Sequence, residues 1–233
     1  MTDAAVTWLQ NLNGLTGGAF LLVTFGLVAM RQTQACERLF IVLSVLLAAS
    51  AFLLSAIFHT WHLVVVGFVD LATKAILIPW VLRRNLPREV YTRREVTQVL
   101  NIPTALLLAL ACTVAAYLLS RPLLAAGGNS PVVSVNLPIG LAGVLVGGLT
   151  AAVRREAIPL FLGLLAMENS AFLAGMSVAP DMPVIAEVAI AFDVLILVFA
   201  VSVLTRAVHD RIGTTEVGAL TTLHEPAEEP AGR

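Results

Sequence analysis

Apolar residues run along this chain in long blocks, each broken by a short polar stretch. A block of about 20 residues is what crosses the hydrocarbon core of a bilayer as a helix. Seven such blocks are read, near 11–30, 38–58, 61–82, 100–120, 134–153, 157–178 and 184–206. The pattern predicts an all-α protein, a polytopic membrane helix bundle of about seven transmembrane helices. Pro159 and Pro183 fall in the first turns of their helices, where a missing N–H does no harm. Pro79 falls late in the third block and is expected to bend it. The fifth block, PIGLAGVLVGGLTAAV, sets Gly143 and Gly147 four apart with Gly140 and Gly148 nearby. Small residues let helix backbones approach in lipid, so packing is their expected role.

Composition agrees with the pattern. The chain has 233 residues, 58% of them hydrophobic and 12% charged, where a soluble domain carries about twice that charge fraction. The basic residues give direction. Arg31 and Arg38 follow block one, and Arg83, Arg84, Arg88, Arg93 and Arg94 follow block three. Arg154 and Arg155 follow block five, and Arg206 and Arg211 follow block seven, while the opposite loops offer only Arg121. The positive-inside rule then puts the N-terminus outside and the C-terminus in the cytoplasm, and favours an odd count of spans. The basic loop at 83–99 is read as a topology signal, with anionic lipid head groups as its alternative contact. Residues 213–233 are polar, mildly acidic and hold Pro226 and Pro230, the composition of a cytoplasmic tail without its own core. The opening MTDAAVTWLQ has no positive n-region, so no cleaved signal is expected. A net charge of −1 points to no nucleic-acid partner, and Cys36 and Cys112 lie too far apart to suggest a disulfide framework or a metal site.

The informative residues are ionisable groups inside the apolar blocks. Each costs about 2.5–3.5 kcal/mol at the bilayer centre on insertion scales. Five are present: Asp70 and Lys74 in block three, Glu168 in block six, Glu187 and Asp193 in block seven. Asp70 and Lys74 are four apart and share a helix face, so they can neutralise each other. Glu187 and Asp193 are six apart, about 240° around a helix, and point to different neighbours. Three uses fit such groups. They can relay protons at the midplane, pair structurally to fix a bundle, or hold an ion or substrate.

Other features are weaker. His59 and His62 are three apart, a spacing that can ligate a metal, but no third ligand is evident and interfacial polarity is the default. Trp8, Trp61 and Trp80 fall near block ends, as interface aromatics do. No phosphate loop, CxxC, haem-attachment motif or catalytic triad is found, and the loops are too short to hold a soluble active site.

Four stretches together resemble the hydrogenase-4 component E family, in order along nearly the whole chain. They are TKAILIPWVLRR (73–84), LLAMENSAFLAG (164–175), EVAIAFDVLILVFAV (187–201) and GTTEVGALTTL (213–223). The last three blocks are also similar to the three-helix K-type subunit of respiratory complex I and the C subunit of multisubunit Na⁺/H⁺ antiporters. That family carries a carboxylate in its second helix and one in its third. Asp193 matches the third-helix position, thirteen residues before Arg206. Asn169 matches the family's asparagine, which leaves Leu165 where the glutamate is expected and Glu168 one turn away.

The resemblance implies a non-catalytic membrane subunit of a complex I-like, formate hydrogenlyase-type hydrogenase. Residues 1–122 would form a four-helix segment, 123–212 the K-type segment and 213–233 the tail. The subunit would sit in the bacterial or archaeal cell membrane as part of a hetero-oligomer, among antiporter-like and membrane-anchor subunits and lipid. It would hold no cofactor itself, the redox centres belonging to other chains. Lys74, Glu168 and Asp193, with Asp70 and Glu187, are the relay residues so implied for H⁺ or Na⁺. A purely structural subunit and a subunit of a cation/proton antiporter are the alternatives, and an autonomous transporter finds no inverted repeat to support it.

Overall fold

The computed structural model describes residues 3–85, 99–127 and 130–180. Among them six rods are long and apolar enough to cross a membrane. Six of the seven predicted spans are therefore present as helix. The seventh, at 184–206, lies outside the described residues, together with Glu187, Asp193, the tail and Arg88, Arg93 and Arg94. No strand occurs among the described residues.

Helix α1 is Asp3–Ala29 and α2 is Thr33–Phe58. The third rod has three parts: α3 at Trp61–Asp70, a π-helical stretch at Leu71–Leu77, and α4 at Ile78–Asn85. Then come α5 at Ile102–Gly127, α6 at Pro131–Val153 and α7 at Ala157–Val178. The first helix starts earlier than its apolar block because Gln10, Asn11 and Asn13 lower the hydropathy of a segment that is helical all the same. Pro131 opens α6 and Pro159 lies in the first turn of α7, as the sequence predicts.

Around Pro79 the third rod widens. In an α-turn the ring of Pro79 would collide with the carbonyl of Ala75, to which it has no N–H to offer. The backbone instead takes a π-turn just before it, and Ile78 N–H bonds Thr73 O five residues back. Such turns insert one residue and rotate what precedes them, and they cluster at functional sites. Here the π-stretch contains Lys74.

Helix α2 is central. Cys36, Phe40, Leu43, Leu47, Ala51 and Leu54 recur at three- and four-residue spacing and are all buried. They meet α1, the third rod and α7. The closest pairing is α6 with α7. A methyl group on Gly147 would meet Met167 N at 2.7 Å, and one on Gly163 would meet Ala151 N at 2.7 Å. Backbone is thus in contact with backbone, as the glycine spacing predicts. Helix α5 lies at the edge: Ala105, Ala109, Ala116 and Ser120 face inward, whereas Leu107, Leu110, Val114 and Leu118 are exposed in the manner of a lipid-facing side.

Candidate functional site

The third rod and α7 bring together three of the predicted residues near mid-bundle. Lys74 Nζ lies 2.8 Å from Glu168 Oε1 and 3.2 Å from Asp70 Oδ1. Asp70 and Lys74 sit one turn apart on their own rod, as their spacing predicts, and Glu168 reaches across from α7. Lys74 is 1% exposed and Asp70 4%, while the Glu168 side chain is 24% exposed. Phe172, one turn beyond Glu168, places its ring 5.4 Å from the ammonium. That contact covers one side of the ammonium with a ring face.

One ammonium faces two carboxylates. Asp70 Oδ2 and Glu168 Oε2 are buried and find no hydrogen-bond partner among the described residues. No other charged side chain described acts on either carboxylate. Next to Glu168, Asn169 is fully buried and donates from Nδ2 to Ser44 Oγ at 3.2 Å, which ties α7 to α2. Ser44 donates in turn to Phe40 O. Asn169 Oδ1 is a third buried acceptor with no partner among the described residues.

Polar groups that composition did not single out lie on either side of this cluster. Toward the arginine-bearing end, Glu37 is buried in the first turns of α2 and accepts from Arg83 Nε at 2.8 Å. Its place at the start of an apolar block, one residue before Arg38, reads as helix-end solvation. Its burial became visible only with Arg83 in place on the third rod. Toward the opposite end, four helices share one hydrogen-bonded chain. Ser50 donates to Asn13 Oδ1 at 2.8 Å, Asn13 to Asn136 Oδ1 at 3.0 Å, and Asn136 to Ser177 Oγ at 2.9 Å. All four side chains are buried.

Several arginines differ from their sequence reading. Arg38 and Arg121 stand within helices rather than loops, and Arg121 lies over the Tyr117 ring. Arg154 does occupy the short link between α6 and α7, but it is buried, not solvated. Its Nη2 donates to Leu27 O at 2.6 Å, to Val28 O at 3.3 Å and to Met30 O. A guanidinium on the last carbonyls of α1 satisfies groups that a helix leaves unpaired and complements its dipole. Burial pulls the Arg154 guanidinium below its ordinary range. His59 ends α2 in the left-handed conformation, at φ 57°, and reverses the chain. Among the described residues no group of three potential ligands gathers for a metal. Trp8, Trp61 and Trp80 are exposed, and Arg84 lies over the Trp80 ring.

These features define a class: a multi-pass membrane protein with a buried lysine ion-paired to carboxylates of two helices. In sequence the chain is similar to Hydrogenase-4 component E of Escherichia coli K12, 24% identical over 218 residues, which cover 92% of this chain and 96% of that protein. The protein of that description from Shigella flexneri matches equally. An uncharacterised protein of Mycobacterium tuberculosis is 27% identical over 209 residues, 89% of this chain and 94% of its own. No family profile matches the chain, and no solved structure does. The similarity is weak in identity and covers most of the chain, the extent that the four motifs suggest.

Proposed function

We propose that this chain is a non-catalytic membrane subunit of a multisubunit hydrogenase, embedded in the cell membrane, and that Lys74 and Glu168 couple ion movement to electron transfer elsewhere in the complex. The observation that carries the coupling role is the Lys74–Glu168 contact at 2.8 Å across two helices, with a second carboxylate on the same ammonium. A buried ion pair that only stabilised would be a poor choice, because desolvation offsets much of the attraction. A pair whose members exchange partners or protons justifies its burial by use. Intramembrane ionisable residues that face the bundle interior commonly mark proton or ion paths.

Membership of a hydrogenase complex rests on the likeness to Hydrogenase-4 component E over 92% of the chain. The further likeness of 123–212 to the K-type subunit of complex I belongs to the same proposal. It adds Asp193 and, more distantly, Glu187 as continuations of the path. Antiporter-like and membrane-anchor subunits are the partners this reading supplies. The redox centres then reside in other chains.

The test has two stages. The tagged chain is extracted in mild detergent and its companions are identified by mass spectrometry. Hydrogenase-like and iron–sulfur subunits are expected with it, and a chain that comes out alone, folded and stable, sinks the subunit reading. Glu168→Gln is then built in the intact complex. The expected outcome is normal yield with coupled ion movement reduced at least tenfold. Lower yield with normal ion movement per complex would favour a purely structural role.

A further inference from the structure

Resting on the reading of Lys74 and Glu168 as the coupling pair, we propose that the Asp70–Lys74–Glu168 cluster carries one exchangeable proton on Glu168 and excludes Na⁺. Three observations lead there. The first is occupancy. A hard metal cation needs about six oxygen ligands. The cluster offers four carboxylate oxygens, and Lys74 Nζ already engages two of them at 2.8 and 3.2 Å. Thr73, the nearest hydroxyl in sequence, is turned back to Val69 O at 2.7 Å. The Phe172 ring covers the ammonium at 5.4 Å and supplies no ligand. A tethered cation thus holds the place that Na⁺ would take, and it repels a second cation.

The second is charge. Two carboxylates and one ammonium sum to −1, with no other described charge acting on them. Burying an uncompensated charge is strongly unfavourable. One proton makes the cluster neutral. The third is place. Glu168 Oε2 and Asp70 Oδ2 both lack a hydrogen-bond partner among the described residues, so either could carry the proton. Both oxygens are themselves buried, but Asp70 is closed off at 4% exposed, whereas 24% of the Glu168 side chain reaches the surface of the described bundle, which makes Glu168 the carboxyl nearer the outside. In the loaded state Glu168 is neutral, its hold on Lys74 weakens, and the ammonium rests on Asp70 one turn away. When Glu168 gives up the proton it regains its charge and draws Lys74 back to the distance seen here. Asp70 is therefore the fixed partner that keeps Lys74 charged and buried throughout, and Glu168 is the group that changes state.

The cluster is tested with the full chain in lipid nanodiscs by infrared difference spectroscopy during acidification, in NaCl and in choline chloride. The expected result is a carboxyl band at higher frequency than those of water-exposed carboxyls, as for a C=O without a hydrogen-bond partner, that shifts on H₂O-to-D₂O exchange and has the same midpoint in both salts. It is lost in Glu168→Gln, and in Asp70→Asn it persists with its midpoint moved to lower pH, because the remaining Lys74–Glu168 pair is already neutral. If Glu168→Gln does not fold, Glu168→Asp serves instead, and the band should move rather than vanish. A midpoint displaced by Na⁺ but not by choline, or a band that survives Glu168→Gln, overturns the proposal. So does a folded chain with no such band. A Glu168→Gln complex that still pumps fails the coupling reading alone, and the one-proton cluster then stands on the infrared result.

Discussion

Among the described residues, Lys74 is the one charged member of the largest fully buried side chains, which are otherwise Phe, Leu and Ile. Its burial holds only while carboxylates face it. Replacing it by methionine keeps the volume but leaves Asp70 and Glu168 without their cation. Lys74→Met is expected to destabilise the folded chain by about 3 kcal/mol, the lower end for breaking a buried pair because Glu168 is partly exposed. The combined Asp70→Asn, Lys74→Met, Glu168→Gln chain should recover most of that loss. Denaturant unfolding in detergent reads both, and a triple variant as weak as the single one would sink ion pairing as the cause. The spacing of Asp70 and Lys74 made their contact legible in the sequence. Glu168 was legible as a misplaced carboxylate, but not its partner, because 94 residues separate it from Lys74. Arg154 shows the opposite failure. The positive-inside rule counts every arginine in a link as solvated charge, and this one is buried against the end of α1. Arg154→Lys keeps the charge but replaces the planar, pre-organised guanidinium with a shorter-reaching, more strongly hydrated ammonium. A loss of about 1–2 kcal/mol is expected, since hydrogen bonds to a charged group contribute about 1.5–3 kcal/mol and lysine retains part of this. Unaltered unfolding in that variant would show that the carbonyl contacts stabilise nothing.

Hydropathy located six of the described rods to within several residues, because the bilayer demands the same length of apolar helix from each. It gave no hint of the π-turn. Winding depends on a local collision between the Pro79 ring and the turn before it, and a 20-residue average smooths that away. The glycines were legible because their spacing is local. Their contacts also differ in a way that a single substitution reads out. At Gly147 an added side chain meets Met167 backbone, whereas at Gly14 nothing lies within 4 Å. Gly147→Leu is expected to force α6 from α7 and cost 3 kcal/mol or more, about the upper range for overpacking. Gly14→Leu should change stability by less than about 0.5 kcal/mol, as substitutions away from packed features do. Thermal unfolding of the two variants side by side checks the pairing. Equal losses would mean that α6 and α7 are not in backbone contact.

At the scale of the molecule, the polar groups divide by the work their chemistry permits. The Asp70–Lys74–Glu168 cluster is made of ionisable groups, whose chemistry allows them to gain and lose protons. The chain of Ser50, Asn13, Asn136 and Ser177 holds amides and hydroxyls, which donate and accept but do not titrate near neutral pH. It joins α1, α2, α6 and α7, so it fixes the mutual register of four helices in a place where lipid offers no hydrophobic force to do so. Sequence reading passed over it because asparagine and serine barely lower the hydropathy of a long block and carry no charge to be noticed. Deleting a link leaves partners buried and unsatisfied. Asn136→Leu strands both Asn13 Nδ2 and the Ser177 hydroxyl's acceptor site, and should cost about 1–3 kcal/mol, the range for a buried unsatisfied group. Asn13→Leu alone should cost a similar amount. The double variant should cost clearly less than the sum, because the second substitution removes a group the first had already orphaned. A coupling of about 0.6–1.7 kcal/mol is expected, as for interhelical hydrogen bonds in lipid. Strict additivity would mean that the Asn13–Asn136 bond makes no contribution. The same variants separate the two kinds of polarity. Ion movement per folded complex should be unchanged in Asn13→Leu, where the cluster is untouched, and reduced in Glu168→Gln, where the fold is untouched. A loss of movement in Asn13→Leu at full folding would extend the ion path into the amide chain and refute the division.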